Sequence, residues 1–302
     1  MKIQFKQPKL LPPSELQALQ QLFQGGRIPE AQARAKKLLA VHPNELALYN
    51  VLGLCQQAQG DIKGAVGSFR KMLAINPSIA ELHFNLAVLL TQLGDAKAAI
   101  ASYRKALQLK STFTVAHFNL AVLLQNAHAF DEATEHYQQA ITLEPGFYEA
   151  LGNLGTLRQQ RGQLAAAEDC YRRALDLHPD ARGYFNLGTT LYDQGEHEQA
   201  LAAFREAVRL DPQFADAWNN LGETLRDRGE MDEAIRCYKH ALAVQANHDR
   251  AKYNLGEFFC LAGRLQEAIP YFEDCQFADA QDRALQCYHK TAQFEVFKAK
   301  LE

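Results

Sequence analysis

The sequence repeats itself with a period of 34 residues. The period is clearest in six asparagines, whose spacings are 34, 34, 33, 34 and 34 residues: Asn85, Asn119, Asn153, Asn186, Asn220 and Asn254. A series of prolines keeps the same register, and its 33-residue step falls at the same place, between Pro179 and Pro212. Because two unrelated residue types share one register, the period belongs to the fold. A fixed period of this length is typical of a solenoid made of stacked repeats.

Composition and charge narrow the function classes. A length of 302 residues would ordinarily predict two globular domains, but a solenoid favours one continuous array. The formal net charge of -3 and the pI near 6.4 argue against a nucleic-acid partner. The sequence contains neither a long apolar run nor a secretory signal, which predicts no membrane partner and a cytoplasmic location. Six cysteines without metal-ligand spacing are typical of reduced thiols.

Each repeat is predicted to be two helices joined by a tight turn. In residues 80–113, apolar residues recur at helical spacing in both halves, and Gly94-Asp95 separates the halves. Glycine or alanine occupies one slot of each first helix, which lets the paired helices approach closely. An aromatic ring recurs in the second helix, and we expect it to fill the core. These rings are Phe69, Tyr103, Tyr137, Tyr171, Phe204, Tyr238 and Phe272.

At these residues the chain resembles the tetratricopeptide repeat family. The motif reads W-N-N-L-G at Trp218–Gly222, followed by Gly229, by D-E-A-I at Asp232–Ile235, and by Tyr238 and Ala241. The resemblance implies an all-α fold, a right-handed superhelical solenoid of about eight helix-turn-helix units plus a C-terminal capping helix. The expected N-terminal extension is 1–11, and the expected capping helix is 281–302. The eight repeats together span 12–282. Their expected limits are 12–45, 46–79, 80–113, 114–147, 148–180, 181–214, 215–248 and 249–282.

Several repeats depart from the family pattern. In the fourth repeat His128 replaces the turn glycine, and in the eighth Pro270 is expected to kink the second helix. The last helix no longer fits the repeat, which favours a capping role. It stops without a helix-ending residue, so a missing downstream domain would look the same as a natural end. Its expected apolar side is Leu285, Phe294, Phe297 and Leu301.

The asparagines are the candidate binding residues. Family members line a concave groove with their first helices, so the resemblance implies that the six asparagines face this groove. The array is also similar to the superhelical domain of O-linked N-acetylglucosamine transferase, in which an asparagine ladder holds an extended polypeptide. The second repeat has Val51 in this slot and Asn50 one residue earlier, so we expect the ladder to begin in the third repeat.

An asparagine ladder suits the recognition of a polypeptide main chain. One amide side chain offers both a donor and an acceptor, so it can pair with both halves of a peptide bond. Helices about 10 Å apart would place one asparagine beside roughly every third residue of an extended strand. The alternative is that these amides are solvated or bonded to neighbouring helices, since asparagine is common at this slot in the family.

Residues next to the ladder predict a graded groove. Phe84, Phe118, Phe185 and Tyr253 precede four of the asparagines and are expected near the groove wall, where they would contact apolar partner side chains. The sixth to eighth repeats are charged instead, which favours charged partner side chains there. The alternative is an ordinary solvated face with partly buried rings. The charged residues are Arg182, Asp193, Asp216, Glu223, Arg226, Asp227, Arg250 and Glu257.

Catalytic and cofactor motifs do not occur in the sequence. His83 and His117 share a slot in adjacent repeats, but the pattern supplies no third metal ligand. We therefore predict no catalytic residue, no cofactor, no metal site, and a non-catalytic scaffold that binds a protein or an extended peptide. One alternative is the substrate-recruiting arm of a larger protein-modifying enzyme, similar to a glycosyltransferase. Another is a homodimer that forms through convex faces or ends.

Overall fold

The structure is all-helical, as the sequence predicted. The computed structural model describes residues 11–276 and 279–298, with side chains described as far as residue 292. Most of the expected extension, residues 299–302, and the side chains of Phe294, Phe297 and Leu301 lie outside this part. The described residues form seventeen helices and no strand: α1 Pro13–Gln24, α2 Ile28–Leu39, α3 Leu46–Ala58, α4 Ile62–Ile75, α5 Ala80–Gln92, α6 Ala96–Leu109, α7 Thr114–Asn126, α8 Phe130–Leu143, α9 Tyr148–Gln160, α10 Leu164–Leu177, α11 Ala181–Asp193, α12 His197–Leu210, α13 Ala215–Asp227, α14 Met231–Val244, α15 Asp249–Leu261, α16 Leu265–Glu273 and α17 Ala280–Lys298.

The chain divides into two compact units after Pro145. Helices α1–α8 belong to the first unit and α9–α17 to the second. Because each repeat of a solenoid contacts only its neighbours, no central core has to hold all repeats together. Within each unit, every odd-numbered helix packs most closely with the even-numbered helix that follows it, except at the end, where α16 packs equally with α17.

The turns inside the hairpins need a left-handed residue. The Asp95 N–H donates to the Leu90 carbonyl oxygen at 3.0 Å, which closes a turn around Gly94. The Asp95 carboxylate then accepts from the Ala98 N–H at 3.1 Å and caps α6. His128 takes this position in the fourth repeat with φ 59°, at a steric cost of roughly 1–2 kcal/mol. The glycines here have φ between 72° and 83°: Gly26, Gly60, Gly94, Gly162, Gly195, Gly229 and Gly263.

The predicted role of the rings as core filling is confirmed. Phe204 and Tyr238 are each only 1% exposed. Each ring packs directly on the small residue of its partner helix: a Cβ atom on Gly222 would lie 2.6 Å from Tyr238 Cε1, and one on Gly188 would lie 2.7 Å from Phe204 Cε1. Real Cβ atoms avoid contacts this short, so glycine at this slot sets how closely the two helices of a hairpin approach.

The last two helices depart from the pattern of the preceding repeats. A kink at Pro270 was expected, and the structure shows a short α16, with nine residues where α14 has fourteen. Proline has no N–H for the helical hydrogen bond, which weakens the helix there. The assignment of Leu285 to the apolar side of α17 is wrong, because Leu285 is 55% exposed. Ala284 and Cys287 are buried instead, and Cys287 Sγ lies 2.8 Å from Cys260 Sγ.

Candidate functional site

The asparagine slot lies at the border of the buried face of each first helix. The residue that follows it is a buried leucine, such as Leu86 or Leu187. Successive residues of a helix point about 100° apart, so the preceding asparagine lies where the core meets solvent. Val51, which stands in this slot in the second repeat, is buried at 8% exposure, as an apolar residue at this border can be.

The first unit contains two of the six asparagines. Asn85 is exposed, and its amide makes no hydrogen bond with another residue that the structure describes. Asn119 is half-buried, and its Nδ2 donates to the Tyr103 hydroxyl at 3.2 Å. That bond leaves Asn119 Oδ1 as an acceptor for a ligand and satisfies the hydroxyl of a buried core ring.

The second unit contains the other four, in two different states. Asn153 and Asn186 are half-buried, and their amides form no side-chain hydrogen bond within the described ranges. Asn220 is also half-buried, and its Oδ1 accepts from Asn219 Nδ2 at 3.3 Å. Asn153 and Asn186 therefore present free amides in adjacent hairpins of one unit.

Asn254 departs from the expectation of an amide open to the groove. It is 9% exposed, and its Nδ2 donates to Asn219 Oδ1 and to Glu223 Oε1, both at 3.0 Å. Its Oδ1 accepts from Arg226 Nη1 at 3.4 Å. Arg250 completes the cluster with two 3.1 Å bonds to Glu223. The internally bonded alternative thus describes Asn254, because Asn219 and Glu223 supply acceptors that the other repeats lack.

The rings of Phe84 and Phe185 each pack between their own hairpin and the start of the next repeat, and we call these two rings wedges. Phe84 stacks on Phe113 with ring centroids 4.7 Å apart and meets Tyr103 edge-on at 5.7 Å. The ring centroid of Phe185 lies 4.8 Å from that of Phe214, with the two ring planes tilted by 42°. Each wedge therefore fills the space between its own hairpin and the start of the next repeat. Both rings are only half-buried, so one side remains available for contact.

The other two predicted rings are also half-buried. The Phe118 ring lies 6.1 Å from Tyr137. The Tyr253 ring lies 5.7 Å from Phe272, and its hydroxyl donates to Asp279 Oδ2 at 2.9 Å. Tyr253 is thus oriented by its own chain, and all four rings are only partly buried.

A donor two residues before the asparagine has a structural role that the sequence analysis missed. His83 Nε2 lies 2.9 Å from the Pro77 carbonyl oxygen, and His117 Nε2 lies 3.0 Å from that of Ser111. Trp218 Nε1 donates to the Pro212 carbonyl oxygen at 3.0 Å. The signal was a ring N–H six residues after three positions of one register, Pro77, Ser111 and Pro212. Each donor ties a first helix to the loop before it, and no group of three candidate metal ligands occurs among the described residues.

His117 and His136 form a hydrogen-bonded pair in the first unit. The two Nδ1 atoms are 2.9 Å apart. Because His117 Nε2–H donates to the Ser111 carbonyl oxygen, neutral His117 offers Nδ1 as the acceptor, and His136 Nδ1–H donates to it. Burial lowers the pKa of His136, and the neighbouring His117 and Arg104 lower it further against the opposite effects of Glu132 and Glu135. The folded state therefore favours neutral His136.

We expect acid to destabilise the first unit through His136. The unfolded pKa of histidine is about 6.5, and the folded value lies below it. As the pH falls from about 6.5 towards the folded pKa, the unfolded state binds the proton first, so stability decreases. The urea midpoint of the wild type should fall as the pH is lowered from 8 to 5, and the midpoint of the His136→Gln variant should fall by less. The exposed His289→Gln variant is the control, and an unchanged slope in His136→Gln would contradict the assignment.

The charged residues of the sixth to eighth repeats mostly neutralise one another. Arg182 and Asp193 are exceptions, since both are exposed and neither forms an ion pair with another described residue. These charged side chains are therefore less available to a partner than the composition of the sixth to eighth repeats suggests. The pairs are Arg226 with Asp227 at 3.1 Å, Arg250 with Glu223 at 3.1 Å, and Arg283 with Glu257 at 3.3 Å. Asp216 instead accepts a 3.1 Å hydrogen bond from Nε2 of His248, whose Nδ1 accepts from the Ala251 N–H.

Solved structures share this helical-hairpin fold. The crystal structure of YrrB, described as a TPR protein with an unusual peptide-binding site, is 27% identical, covers 61% of this chain and 95% of YrrB, and gives a TM-score of 0.55. The C-terminal part of a TPR repeat-containing protein from Cytophaga hutchinsonii is 16% identical over 78% of this chain and 97% of its own, with a TM-score of 0.67. PilF of Pseudomonas aeruginosa is 23% identical over 70% and 97%, with a TM-score of 0.59. The last two support the fold alone.

Family models match most of the chain. Models of the tetratricopeptide repeat match residues 16–78, 56–112 and 185–239, residues 213–276, and residues 148–180. No curated protein matches this chain in sequence. Within the described ranges, no helix has the length and apolar composition of a membrane-crossing segment. The matched segments and the shared fold together establish that the chain belongs to the tetratricopeptide repeat family.

Proposed function

We propose that this protein is a non-catalytic scaffold that binds an extended polypeptide segment through the asparagines of its first helices. The observation that carries the proposal is the state of three amides. Asn85, Asn153 and Asn186 occupy the same helical slot, reach solvent, and form no hydrogen bond with another described side chain. An amide in this state can pair with a peptide bond without first breaking an internal contact.

The chemistry favours recognition of the main chain over recognition of side chains. Each amide can donate to a peptide carbonyl oxygen and accept from a peptide N–H. One such hydrogen bond contributes about 0.5–1.5 kcal/mol net. Ordering a flexible peptide removes much of that gain, so the asparagines alone give weak to moderate affinity. Asn119 and Asn220 contribute the groups that their internal bonds leave open, and Asn254 stabilises the cluster around Glu223.

Two further observations support a polypeptide partner. The partly buried rings beside the slot, such as Phe84 and Phe185, offer apolar surface next to the free amides. YrrB, at 27% identity, is described as a TPR protein with a peptide-binding site. A partner that combines an extended main chain with apolar side chains would use both features.

The proposal is tested with the double variant Asn153→Ala, Asn186→Ala. Peptides selected on the wild-type protein from a random dodecapeptide library are labelled, and their dissociation constants are measured by fluorescence anisotropy. The double variant should lose about 1–3 kcal/mol of binding free energy, because one hydrogen bond disappears at each of the two asparagines. The loss should be similar for peptides of different sequence, since the asparagines contact the main chain.

A matched control separates binding from folding. Asn44 and Asn247 are exposed asparagines in the loops between hairpins, and their double alanine variant should bind as the wild type does. Both double variants should keep the wild-type melting temperature, because none of the four amides has a described partner. Equal affinity of the wild type and the Asn153→Ala, Asn186→Ala variant would refute the role of the asparagines.

A further inference from the structure

The fifth repeat lacks the ring wedge that neighbouring repeats have. Its first helix, α9, carries Gly152 in the slot that holds Phe84 and Phe185 elsewhere. The ring that would stack on the wedge is also missing, because Asp180 stands where Phe113 and Phe214 stand in other repeats. The sequence therefore removes both members of a ring pair at one place in the second unit.

The missing rings leave a cavity rather than a collapsed interface. The cavity has a volume of about 460 Å³, and its apolar wall includes Tyr171, Ala174 and Leu175. A Cβ atom built on Gly152 would meet no heavy atom within 4 Å, whereas one on Gly155 would lie 2.8 Å from Tyr171 Cε1. Close packing thus explains why position 155 holds a glycine, but it does not explain the glycine at position 152. Glycine inside a helix costs about 1 kcal/mol relative to alanine, and at Gly152 no packing contact requires it.

The other repeats show which group fits this space. There the chain's own phenylalanine occupies the equivalent position, with its ring 4.7–4.8 Å from the second ring. In the fifth repeat the space is open to solvent and is bordered by the free amides of Asn153 and Asn186. An aromatic side chain from a peptide held by these two asparagines would complete the wall as Phe84 and Phe185 do in their own repeats.

The charges at the rim define the residue next to that ring. The Asp180 carboxylate accepts from the Gly183 N–H at 2.8 Å and lies 3.7 Å from His178 Nδ1. The neighbouring Glu149 carboxylate raises the pKa of the Tyr148 hydroxyl. Arg182 lines the same cavity and forms no ion pair with another described residue. Arg182 therefore offers an acidic group a cation without an ion-pair partner among the described residues, on a rim that also holds the carboxylates of Glu149 and Asp180.

We propose that the Gly152 cavity binds an aromatic side chain of an extended polypeptide, and that an acidic residue beside it pairs with Arg182. This inference rests on the proposed function, because the free amides of Asn153 and Asn186 hold the main chain on which the ring is carried. It adds a sequence preference to a site that otherwise reads only the backbone. The partner segment is accordingly an aromatic residue with an adjacent aspartate or glutamate.

The test fills the cavity with a side chain of the protein itself. The random dodecapeptide library is selected in parallel on the wild type and on Gly152→Phe, which restores the wedge of the other repeats. Peptides with phenylalanine, tyrosine or tryptophan next to an acidic residue should be enriched on the wild type and not on the variant. A peptide from the wild-type selection should bind Gly152→Phe about ten- to a hundredfold more weakly, the effect of losing one buried aromatic side chain.

Two further variants make the result specific. Gly67 is exposed on α4 in the other unit and has equally open surroundings, so Gly67→Phe should bind as the wild type does. Arg182→Gln should weaken the aromatic-acidic peptide about two- to fivefold and reduce its salt dependence. A melting temperature of Gly152→Phe at or above the wild-type value shows that the ring fits the cavity.

The outcomes distinguish this inference from the proposed function. Aromatic peptides that bind the wild type and Gly152→Phe equally would overturn the inference. If selected peptides show no aromatic preference but still lose affinity in Asn153→Ala, Asn186→Ala, the cavity proposal fails and the asparagine proposal stands. If affinity is insensitive to Gly152→Phe and to the asparagine variant alike, both proposals fail.

Discussion

Replacing Phe204 with alanine is expected to lower the free energy of unfolding by about 3–5 kcal/mol. Phe204 is 1% exposed and packs against Gly188 of α11. Because Gly188 has no side chain that could move into the void, the cavity left by the ring stays open. The transfer free energy lost with the ring and the free-energy cost of the unfilled cavity then add to each other. Urea denaturation of the full chain, followed by circular dichroism, measures the change.

An exposed apolar residue provides the control for this prediction. Leu261 is 81% exposed, so Leu261→Ala should change stability by no more than about 0.5 kcal/mol. In a repeat array the loss at Phe204 should be largest in α11 and α12, because coupling passes only between neighbours. Amide hydrogen exchange measures in which helices the loss of stability is largest. Equal effects of Phe204→Ala and Leu261→Ala would show that the rings do not form the core.

Gly222→Ala and Gly152→Ala are expected to change stability in opposite directions. A Cβ atom on Gly222 would lie 2.6 Å from Tyr238 Cε1 and 3.1 Å from the Ala234 carbonyl oxygen. Overpacking of this kind costs about 1–3 kcal/mol, which exceeds the gain of about 0.5–1 kcal/mol from replacing a helical glycine by alanine. At Gly152 only the gain remains, because no atom lies within 4 Å of the new Cβ.

The sign of the two changes is the informative result. Both residues lie in first helices of the second unit, so helix propensity affects them similarly, and only the packing differs. Urea midpoints should fall for Gly222→Ala and rise for Gly152→Ala. A rise in both variants would mean that α13 and α14 can separate to admit a methyl group. A fall in both would mean that the space beside Gly152 is closed in solution.

Much of the hairpin architecture could be predicted from local chemistry. The 34-residue period, the turn glycines and the rings all depend on residues within one repeat. His128 illustrates this, because it stands at the turn position that glycine holds in other repeats and adopts the same left-handed conformation, with φ 59°. Leu285 shows the limit of such reasoning, since an apolar residue in the last helix was assigned to the buried side and is exposed.

The state of Asn254 depended on residues in the neighbouring repeat. The sequence made Asn186 and Asn254 look equivalent, but Asn254 is bonded to Asn219 and Glu223 whereas Asn186 has a free amide. The acceptors of Asn254 stand 35 and 31 positions earlier in the chain, in the preceding hairpin. A pattern within one repeat cannot show whether the hairpin beside it supplies a partner.

By itself the sequence determined the family, the helical hairpins and the residues that fill their cores, because a repeated local pattern fixes how each helix pair packs. Only the tertiary structure decided which amides remain free, how charges such as Arg250 and Glu223 pair, and that Gly152 and Asp180 leave a cavity between two hairpins. The physical reason is that hydrogen bonds and voids between hairpins depend on distances across the stack, and these distances appear only after the repeats have packed.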